Sequence, residues 1–262
     1  MTDIAGKVVW ITGASSGIGE AMAYEASAAG AKLVLSARRQ AELERVRSAC
    51  AHPQNVALLP ADLTDFDADS LHDRAVAFFG PVDVLVNNAG ISQRSSVMDT
   101  SMAVYRRIFE LDFFAPVALT KAVLPGMSAR GQGHIVAISS VVGYLGTPQR
   151  SGYAAAKHAV QGFFDSVRAE SWRSGVKVTI VCPGYIRTNV SINAITASGE
   201  RHGLMDRGQE KGMDAQRCAR KIWSAVAADR EEIVIGKEAL AVLVKRFAPR
   251  LASFALKRAK VT

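Results

Sequence analysis

The residues Thr12-Gly13-Ala14-Ser15-Ser16-Gly17-Ile18-Gly19 decide the fold of this 262-residue chain. They follow an apolar run, Lys7 to Ile11, that predicts a buried strand, and they lead into a helix predicted for Gly19 to Ala29. A glycine-rich turn between a strand and a helix lets the backbone approach a pyrophosphate, which then sits at the helix N-terminus. The glycine spacing, G-x-x-x-G-x-G, differs from the common dinucleotide fingerprint G-x-G-x-x-G. The stretch therefore predicts a nucleotide-binding βα unit.

The rest of the chain alternates apolar strands with amphipathic helices, which predicts right-handed β-α-β crossovers and a doubly wound parallel sheet. The length and the 49% hydrophobic content suit a single α/β domain with a substantial core. Long helices are expected near 101–128 and 152–174. The candidate strands are 6–12, 31–37, 55–61, 82–86, 132–139, 176–182 and 231–235.

A second informative stretch is Tyr153-Ala-Ala-Ala-Lys157, which Ser140 precedes in the chain. In a helix, a spacing of four residues places the phenol and the ammonium on one face, one turn apart. A cation about 5 Å from a phenolate stabilises it by about 3 kcal/mol at an effective dielectric constant of about 20. Such a pair can carry out general acid–base catalysis near neutral pH. Ser140 can hydrogen-bond the oxygen of a carbonyl or alcohol substrate.

Two further blocks follow predicted strands, and they are Asn87-Asn88-Ala89-Gly90 and Pro183-Gly184-Tyr185-Ile186-Arg187-Thr188. Together with the glycine-rich turn and the Ser140, Tyr153 and Lys157 set, in this order and at these separations, they resemble the classical short-chain dehydrogenase/reductase family. The resemblance runs from about Gly6 to Gly236. It implies a Rossmann-type fold and a reversible hydride transfer between a nicotinamide cofactor and a carbonyl/alcohol pair, in which Tyr153 transfers the proton and Ser140 positions the oxygen.

The resemblance also implies a set of cofactor contacts. Asn88 is expected near the adenosine ribose, Asp62 near the adenine amino group, and Lys157 on the nicotinamide ribose. A second possible role for Asp62 is to cap a helix that starts near Thr64. The expected set is Gly13, Ser15, Ser16, Gly17, Ile18, Gly19, Arg38, Asp62, Leu63, Asn88, Tyr153, Lys157, Pro183, Gly184 and Thr188.

The end of the second predicted strand bears on the choice of cofactor. Ala37 stands where relatives that prefer the unphosphorylated cofactor carry an acid that binds the ribose hydroxyls. Arg38 offers a forked donor for a 2′-phosphate. These two residues favour NADP(H), with NAD(H) not excluded. The alternative is that Arg38 and Arg39 merely begin a solvated helix.

One position departs from the family pattern. The family carries an Asn as a fourth catalytic residue in the long helix after the Asn-Asn-Ala-Gly block, and this chain has Asp112 at the matching position. An ionised carboxylate near Lys157 would favour the ammonium and partly cancel its pull on Tyr153, which would move activity to higher pH. Alternatively, Asp112 points elsewhere.

A different class of function is a non-catalytic NADP(H)-binding regulatory protein on the same fold. The intact Ser140, Tyr153 and Lys157 favour the enzyme. For its substrate, the sequence suggests a hydrophobic ketone or alcohol, because apolar side chains after Ser140 can form a pocket wall. The same side chains can equally be ordinary packing residues, and they are Val141, Val142, Tyr144 and Leu145.

Residues 188–213 are polar and glycine-rich, and they interrupt the strand–helix alternation. A long irregular segment in a compact domain predicts a lid over the substrate. The segment is similar to the corresponding region of the family branch that includes membrane-associated reductases. The domain with its lid is expected to span 1–236. The five histidines show no metal-ligand spacing, so no metal is expected.

The last segment, 237–262, is predicted to be a basic amphipathic helical tail. It carries seven basic side chains and one acid, which account for six of the eight net positive charges. No nucleic-acid motif accompanies this charge, so specific nucleic-acid binding is not expected. Pro249 predicts a break in the helix. Packing on the protein body or on a sister subunit is favoured for 237–248, and peripheral contact with an anionic membrane for 250–262.

The resemblance implies a homodimer or a homotetramer joined through the two long helices. The cysteines are odd in number and far apart, which predicts reduced thiols and a cytoplasmic location. Membrane contact of the tail would add a peripheral association to this location. The cysteines are Cys50, Cys182 and Cys218.

Overall fold

The centre of the computed structural model, which describes residues 2–258, is a seven-stranded, all-parallel sheet in the order β3-β2-β1-β4-β5-β6-β7. The strands are nearly continuous apolar runs because helices cover both faces of the sheet. The predicted doubly wound sheet is therefore confirmed. The strands are β1 Val8–Thr12, β2 Lys32–Ser36, β3 Val56–Leu58, β4 Val84–Asn87, β5 Gly133–Ile138, β6 Val176–Pro183 and β7 Glu232–Ile235.

Helices α1, α2 and α8 pack on one face of the sheet, and α3, α5 and α6 pack on the other. The helix predicted near 101–128 consists of α4 and α5, which a π-helical turn, Glu110–Phe114, joins. The helices are α1 Gly17–Ala28, α2 Gln40–Ala49, α3 Ala68–Phe79, α4 Met102–Phe109, α5 Ala115–Ala129, α6 Ser151–Ser171, α7 Arg207–Glu210, α8 Ala215–Ala227, α9 Ala239–Phe247 and α10 Pro249–Leu256.

The strand order reverses at β1, which pairs with β2 on one side and with β4 on the other. At such a reversal the connections leave in opposite directions, so a crevice opens at the carboxyl ends of the strands. Thr12, at the end of β1, joins the two sides of this crevice. Its buried hydroxyl donates to Val86 O at 3.1 Å and accepts from the backbone N–H groups of Asn88 and Ala89, at 3.0 and 3.1 Å.

Residues 188–213 are irregular as predicted, with α7 as their one helix. The segment is tied to the chain that follows β4, because Arg94 N donates to Ile195 O and Ile195 N donates to Ser92 O, each at 2.9 Å. Within the segment, Ser191 and Ala194 are fully buried. The segment is therefore anchored at its middle, and its movement as a lid stays a prediction.

The tail forms two helices, α9 and α10, that are separated just before Pro249, where the sequence predicts a break. Of the two surfaces expected to cover the apolar stripe of 237–248, the protein's own body does not cover its larger side chains. Leu240, Leu243 and Phe247 are 67%, 53% and 78% exposed. Packing on a sister subunit and membrane contact of 250–262 stay predictions, and residues 259–262 lie outside the described part. Among residues 2–258, no helix has the length and apolar character to cross a membrane.

We expect Thr12→Val to lower the free energy of unfolding by about 2–4 kcal/mol, because it leaves two part-buried N–H donors and one carbonyl without the Thr12 hydroxyl. Urea unfolding followed by circular dichroism measures this change. Thr12→Ser is the matched control, because it keeps the hydroxyl and loses only a methyl group. Equal stability of the valine and serine variants would contradict the assigned role of the hydroxyl.

Candidate active site

A cavity of about 1140 Å³ opens at the carboxyl ends of the strands. It is larger than the roughly 300–1,000 Å³ that small-molecule pockets occupy, and so has room for a dinucleotide together with a substrate. The structure brings nearly all of the predicted site residues to its wall. They are Gly13, Ser15, Ser16, Gly17, Ile18, Arg38, Asp62, Leu63, Asn88, Asp112, Ser140, Tyr153, Lys157, Pro183, Gly184 and Thr188.

The predicted Gly19 lies behind this wall and shapes the glycine-rich turn. A Cβ atom on Gly19 would stand 2.4 Å from Gly13 O, so a side chain there would push the turn apart. Gly13 and Gly17 have φ angles of 63° and 64°, in the left-handed region that favours glycine. The Asn88 side chain holds the turn, since its Nδ2 donates to Thr12 O at 2.9 Å and to Gly13 O at 3.2 Å. This cradle at the N-terminus of α1 fits a pyrophosphate.

Asp62 lies on the cavity wall near Arg38 and accepts two hydrogen bonds from Thr64, from its N–H at 3.0 Å and from its hydroxyl at 2.8 Å. Burial alone would raise the pKa of Asp62, but these hydrogen bonds hold it below its usual range. The helix predicted to start near Thr64 starts four residues later, because residues 63–65 form a turn. Helix α3 begins at Ala68, and Asp67 caps it by accepting from Ser70 N at 2.7 Å. The expectation that Asp62 caps a helix is therefore wrong.

Three arginines stand at this end of the cavity, and they differ in their partners. Arg45 is committed to the protein, because it pairs with Glu20 at 2.6 Å and with Glu42 at 3.0 Å. Arg38 and Arg39 are exposed, and neither side chain makes a hydrogen bond or an ion pair within residues 2–258. Their guanidinium groups are therefore free to bind a ligand.

At the other end of the cavity, α6 presents Tyr153 and Lys157 on one face, as their spacing predicts. The Lys157 Nζ atom lies 5.7 Å from the centre of the Tyr153 ring and donates to Ile138 O at 3.1 Å. Ser140 follows β5, and its hydroxyl donates to Pro183 O at 3.3 Å. A phenol, an ammonium and a hydroxyl thus meet in one place, which is the set that proton transfer to a substrate oxygen requires.

Asp112 does not point elsewhere, because its Oδ2 lies 3.3 Å from Lys157 Nζ and both side chains are buried. The π-helical turn directs Asp112 inward, and Oδ1 accepts from Ile91 N at 2.8 Å. Burial raises the pKa of the Asp112 carboxyl, while Lys157 and the Ile91 N–H oppose this change. Burial alone would lower the pKa of Lys157, but Asp112 and Tyr153 raise it. The ammonium is therefore stabilised, and its positive charge is partly neutralised.

The predicted apolar wall is correct in part, because Val141, Val142 and Leu145 line the cavity. Tyr144 does not line it, which corrects that part of the expectation. Residues Val141–Gly143 form a short 3₁₀ helix. Tyr144 follows this helix, and its hydroxyl lies 3.7 Å from Cys182 Sγ and outside the cavity wall.

Several polar residues on the wall belong to none of the motifs. Arg94 lies four residues after the Asn-Asn-Ala-Gly block, and Thr147 and Arg150 directly precede α6, so closeness to a motif was the one signal that could have found them. Glu238 and Ala241 reach the wall from the tail. Among residues 2–258, no group of three or more His, Cys, Asp or Glu side chains is placed to hold a metal ion.

Comparisons with known proteins agree with this geometry. The family model described as short chain dehydrogenase matches residues 7–198. Dehydrogenase/reductase SDR family member 7B of Mus musculus is 44% identical over 252 residues, which are 93% of this chain and 78% of the mouse protein. Among solved structures, a short-chain dehydrogenase from Streptomyces avermitilis is similar with a TM-score of 0.84 and 33% identity, over 97% of this chain and 96% of that one.

Two more distant structures share the fold at 24% identity. One is a short chain dehydrogenase/reductase from Burkholderia phymatum in complex with NAD, with a TM-score of 0.83 over 100% of this chain and 98% of that one. The other is a short-chain dehydrogenase from Sphingobium yanoikuyae in complex with NADPH, with a TM-score of 0.78 over 98% of each chain. Proteins of this fold thus bind either form of the nicotinamide cofactor.

We expect Asp112→Asn to move the pH midpoint of alcohol oxidation downward, by on the order of one pH unit. The change removes a negative charge that stabilises the ammonium of Lys157 and opposes a phenolate at Tyr153, while the amide oxygen can still accept from Ile91 N. Initial rates between pH 6 and 11 measure the shift. The control is Asp165→Asn, which removes an exposed carboxylate from the same helix as Lys157. An unchanged midpoint in a folded Asp112→Asn protein would contradict this electrostatic role.

Proposed function

The chain belongs to the short chain dehydrogenase family, and we propose that it is an NADP(H)-dependent oxidoreductase that interconverts a carbonyl compound and an alcohol. One observation carries the proposal. Ser140, Tyr153 and Lys157 meet at one end of a cavity whose other end has a glycine-rich cradle for a pyrophosphate.

A bound nicotinamide would supply hydride in reduction and accept it in oxidation, while the protein supplies orientation and proton transfer. Ser140 holds the substrate oxygen. In reduction Tyr153 gives its phenolic proton to the developing alkoxide, and in oxidation its phenolate takes the alcohol proton. Lys157, fixed by Ile138 O and Asp112, stabilises the phenolate and is placed to bind the nicotinamide ribose.

The preference for NADP(H) rests on the end of β2. Ala37 places no carboxylate against a 2′-phosphate, and the Arg38 side chain makes no hydrogen bond or ion pair within the described residues. Arg–phosphate pairs form charge-assisted and often bidentate hydrogen bonds. Asp62 attracts Arg38 electrostatically, but its hydrogen bonds go to Thr64.

An apolar part of the substrate is proposed to lie against Val141, Val142 and Leu145. A homo-oligomer through the long helices is also proposed. Its support is a cluster of aromatic rings between the long helices. The ring centre of Phe113 lies 5.1 Å from that of the half-exposed Phe114 and 6.1 Å from that of Phe163 on α6. The three cysteines are free, buried thiols, which supports a reducing, cytoplasmic compartment.

We expect Tyr153→Phe to lower kcat by about 10²–10⁴-fold, because it removes the proton donor and leaves the ring in place. Cofactor affinity, measured by fluorescence titration with NADPH, should change by less than about twofold, since the phenol acts on the substrate oxygen. Tyr105→Phe is the matched control, because its hydroxyl bonds Ser151 outside the cavity. Near-normal turnover in a folded Tyr153→Phe protein would refute the assignment. Tight NADPH binding by the wild type without turnover of any carbonyl would favour the regulatory alternative.

We expect NADPH to bind more tightly than NADH, and Arg38→Gln to weaken NADPH binding by about 10-fold or more while NADH binding stays nearly constant. A hydrogen bond to a charged group is worth about 1.5–3 kcal/mol, and only the phosphorylated cofactor makes this one. Calorimetric titration of both cofactors measures the difference. Arg47→Gln serves as control, because Arg47 stands on α2 and pairs with Glu44 away from the cavity. Tighter binding of NADH by the wild type would overturn the preference.

A further inference from the structure

A cluster of buried charges stands at the substrate end of the cavity, outside the set that transfers the proton. Arg94 and Arg150 both pair with Asp206, which α7 follows directly, and the side chains of all three are at most 6% exposed. Arg150 also lies over the ring of Tyr185, 5.9 Å from its centre. The two arginines line the cavity, whereas Asp206 does not belong to its wall. The cations therefore face the cavity, and the carboxylate stands behind them.

The charges of this cluster do not balance. Two guanidinium groups share one carboxylate within residues 2–258, which leaves one buried positive charge in excess. Burial lowers the pKa of Arg94, and Arg150 lowers it further, while Asp206 opposes both. An unpaired buried charge is costly, so an anion that enters this end of the cavity would be stabilised there.

The hydrogen-bond donors of the two arginines are used unequally. Arg94 is nearly saturated, because it donates to Asp206, to Ser92 Oγ at 2.7 Å and to Gln93 O at 2.6 Å. Arg150 makes one hydrogen bond in the described residues, from Nη2 to Asp206 at 2.9 Å, and its Nε is buried without a partner. Thr147, three residues earlier on the wall, likewise has a buried hydroxyl without a partner. Spare donors thus accompany the spare charge.

A purely structural role accounts for only part of this arrangement. Asp206 belongs to the 188–213 segment, and one arginine would suffice to clasp it to the protein body. Arg94 already does so with two of its nitrogens, Nε and Nη2. The clasp does not explain the second guanidinium, its unbonded Nε or its place on the cavity wall three residues before Tyr153.

We infer that Arg150, with Thr147, binds an anionic oxyacid group, a carboxylate or a phosphate, of the carbonyl or alcohol substrate. The inference rests on the proposed function and narrows its substrate class. The apolar wall at Val141, Val142 and Leu145 and the charged group at Arg150 flank Tyr153, so the substrate is an amphiphilic anion rather than a neutral hydrophobic ketone. Arg150 acts by binding and orienting the substrate, and no covalent step passes through it.

The kinetic test measures NADPH oxidation with two kinds of matched substrate pairs. Oxo acids of graded chain length are compared with their methyl esters, and phosphate monoesters of hydroxyketones are compared with the free hydroxyketones. For the wild type we expect kcat/KM to favour the charged member of at least one pair by about 10-fold or more, which corresponds to a bidentate charged contact. Arg150→Met should bring this ratio close to one, mainly through KM, because Arg94 and Asp206 then form a balanced pair. Arg220→Met, which removes an exposed arginine paired with Glu25, should keep the wild-type ratio.

A binding test works without turnover. Octanoate, octyl phosphate and octanamide are titrated calorimetrically into the wild type, Arg150→Met and Arg150→Lys, with NADP⁺ present at saturation. We expect one of the two anions to bind the wild type more tightly than the amide, and this preference to be lost in Arg150→Met and partly kept in Arg150→Lys. The anion that binds more tightly identifies the oxyacid. Circular dichroism melts verify that each variant is folded.

The outcomes separate this inference from the proposed function. Equal kcat/KM for charged and neutral members of every pair, or equal affinity of the wild type for both anions and the amide, overturns the anion site while leaving the oxidoreductase intact. A charge preference that persists in Arg150→Met also overturns it. Anion binding that depends on Arg150, in a protein that reduces no carbonyl, supports the site and refutes the proposed function instead. If Arg150→Met does not fold, the wild-type and Arg150→Lys comparisons decide the question.

Discussion

The rest of the site depends on the hydrogen bonds of the Thr12 hydroxyl. It closes a short network between the ends of β1 and β4, the two strands between which the sheet reverses its direction of winding. Because Asn88 in turn holds the carbonyls of Thr12 and Gly13, the glycine-rich turn takes its shape from the neighbouring strand as well as from its own sequence. The cradle for the pyrophosphate is therefore set by tertiary contacts that glycine makes sterically possible.

Charge balance organises the opposite end of the cavity. Lys157 is paired with a buried carboxylate, so its effect on Tyr153 is weaker than that of a lone ammonium. Elsewhere on the cavity wall, the two positive charges of Arg94 and Arg150 share the single negative charge of Asp206. The positive charge is thus partly neutralised at Lys157, whereas one positive charge stays in excess at Arg94 and Arg150.

The site is assembled from elements that are distant in the chain. The π-helical turn between α4 and α5 rotates Asp112 toward α6, which a regular helix with the same sequence would not do. The 188–213 segment contributes Asp206, whose partner Arg94 is 112 residues away in sequence. The tail adds Glu238, whose carboxylate lies against Gly184. The wall of the cavity and its support are therefore spread over segments that carry no motif.

The sequence alone determined the sheet, the glycine-rich turn and the Tyr153–Lys157 pair, because each depends on local pattern: apolar runs between amphipathic helices, glycine at a left-handed turn, and one helical turn between two side chains. It could place Asp112 beside the motif but not decide its direction, which the π-helical turn settles. It predicted a helix start near Thr64 where the helix in fact begins at Ala68, and an apolar wall that included Tyr144. Only the tertiary structure brought Arg94, Arg150 and Asp206 together, because pairing between buried charges depends on which distant segments the fold places in contact, and spacing along the chain carries no record of it.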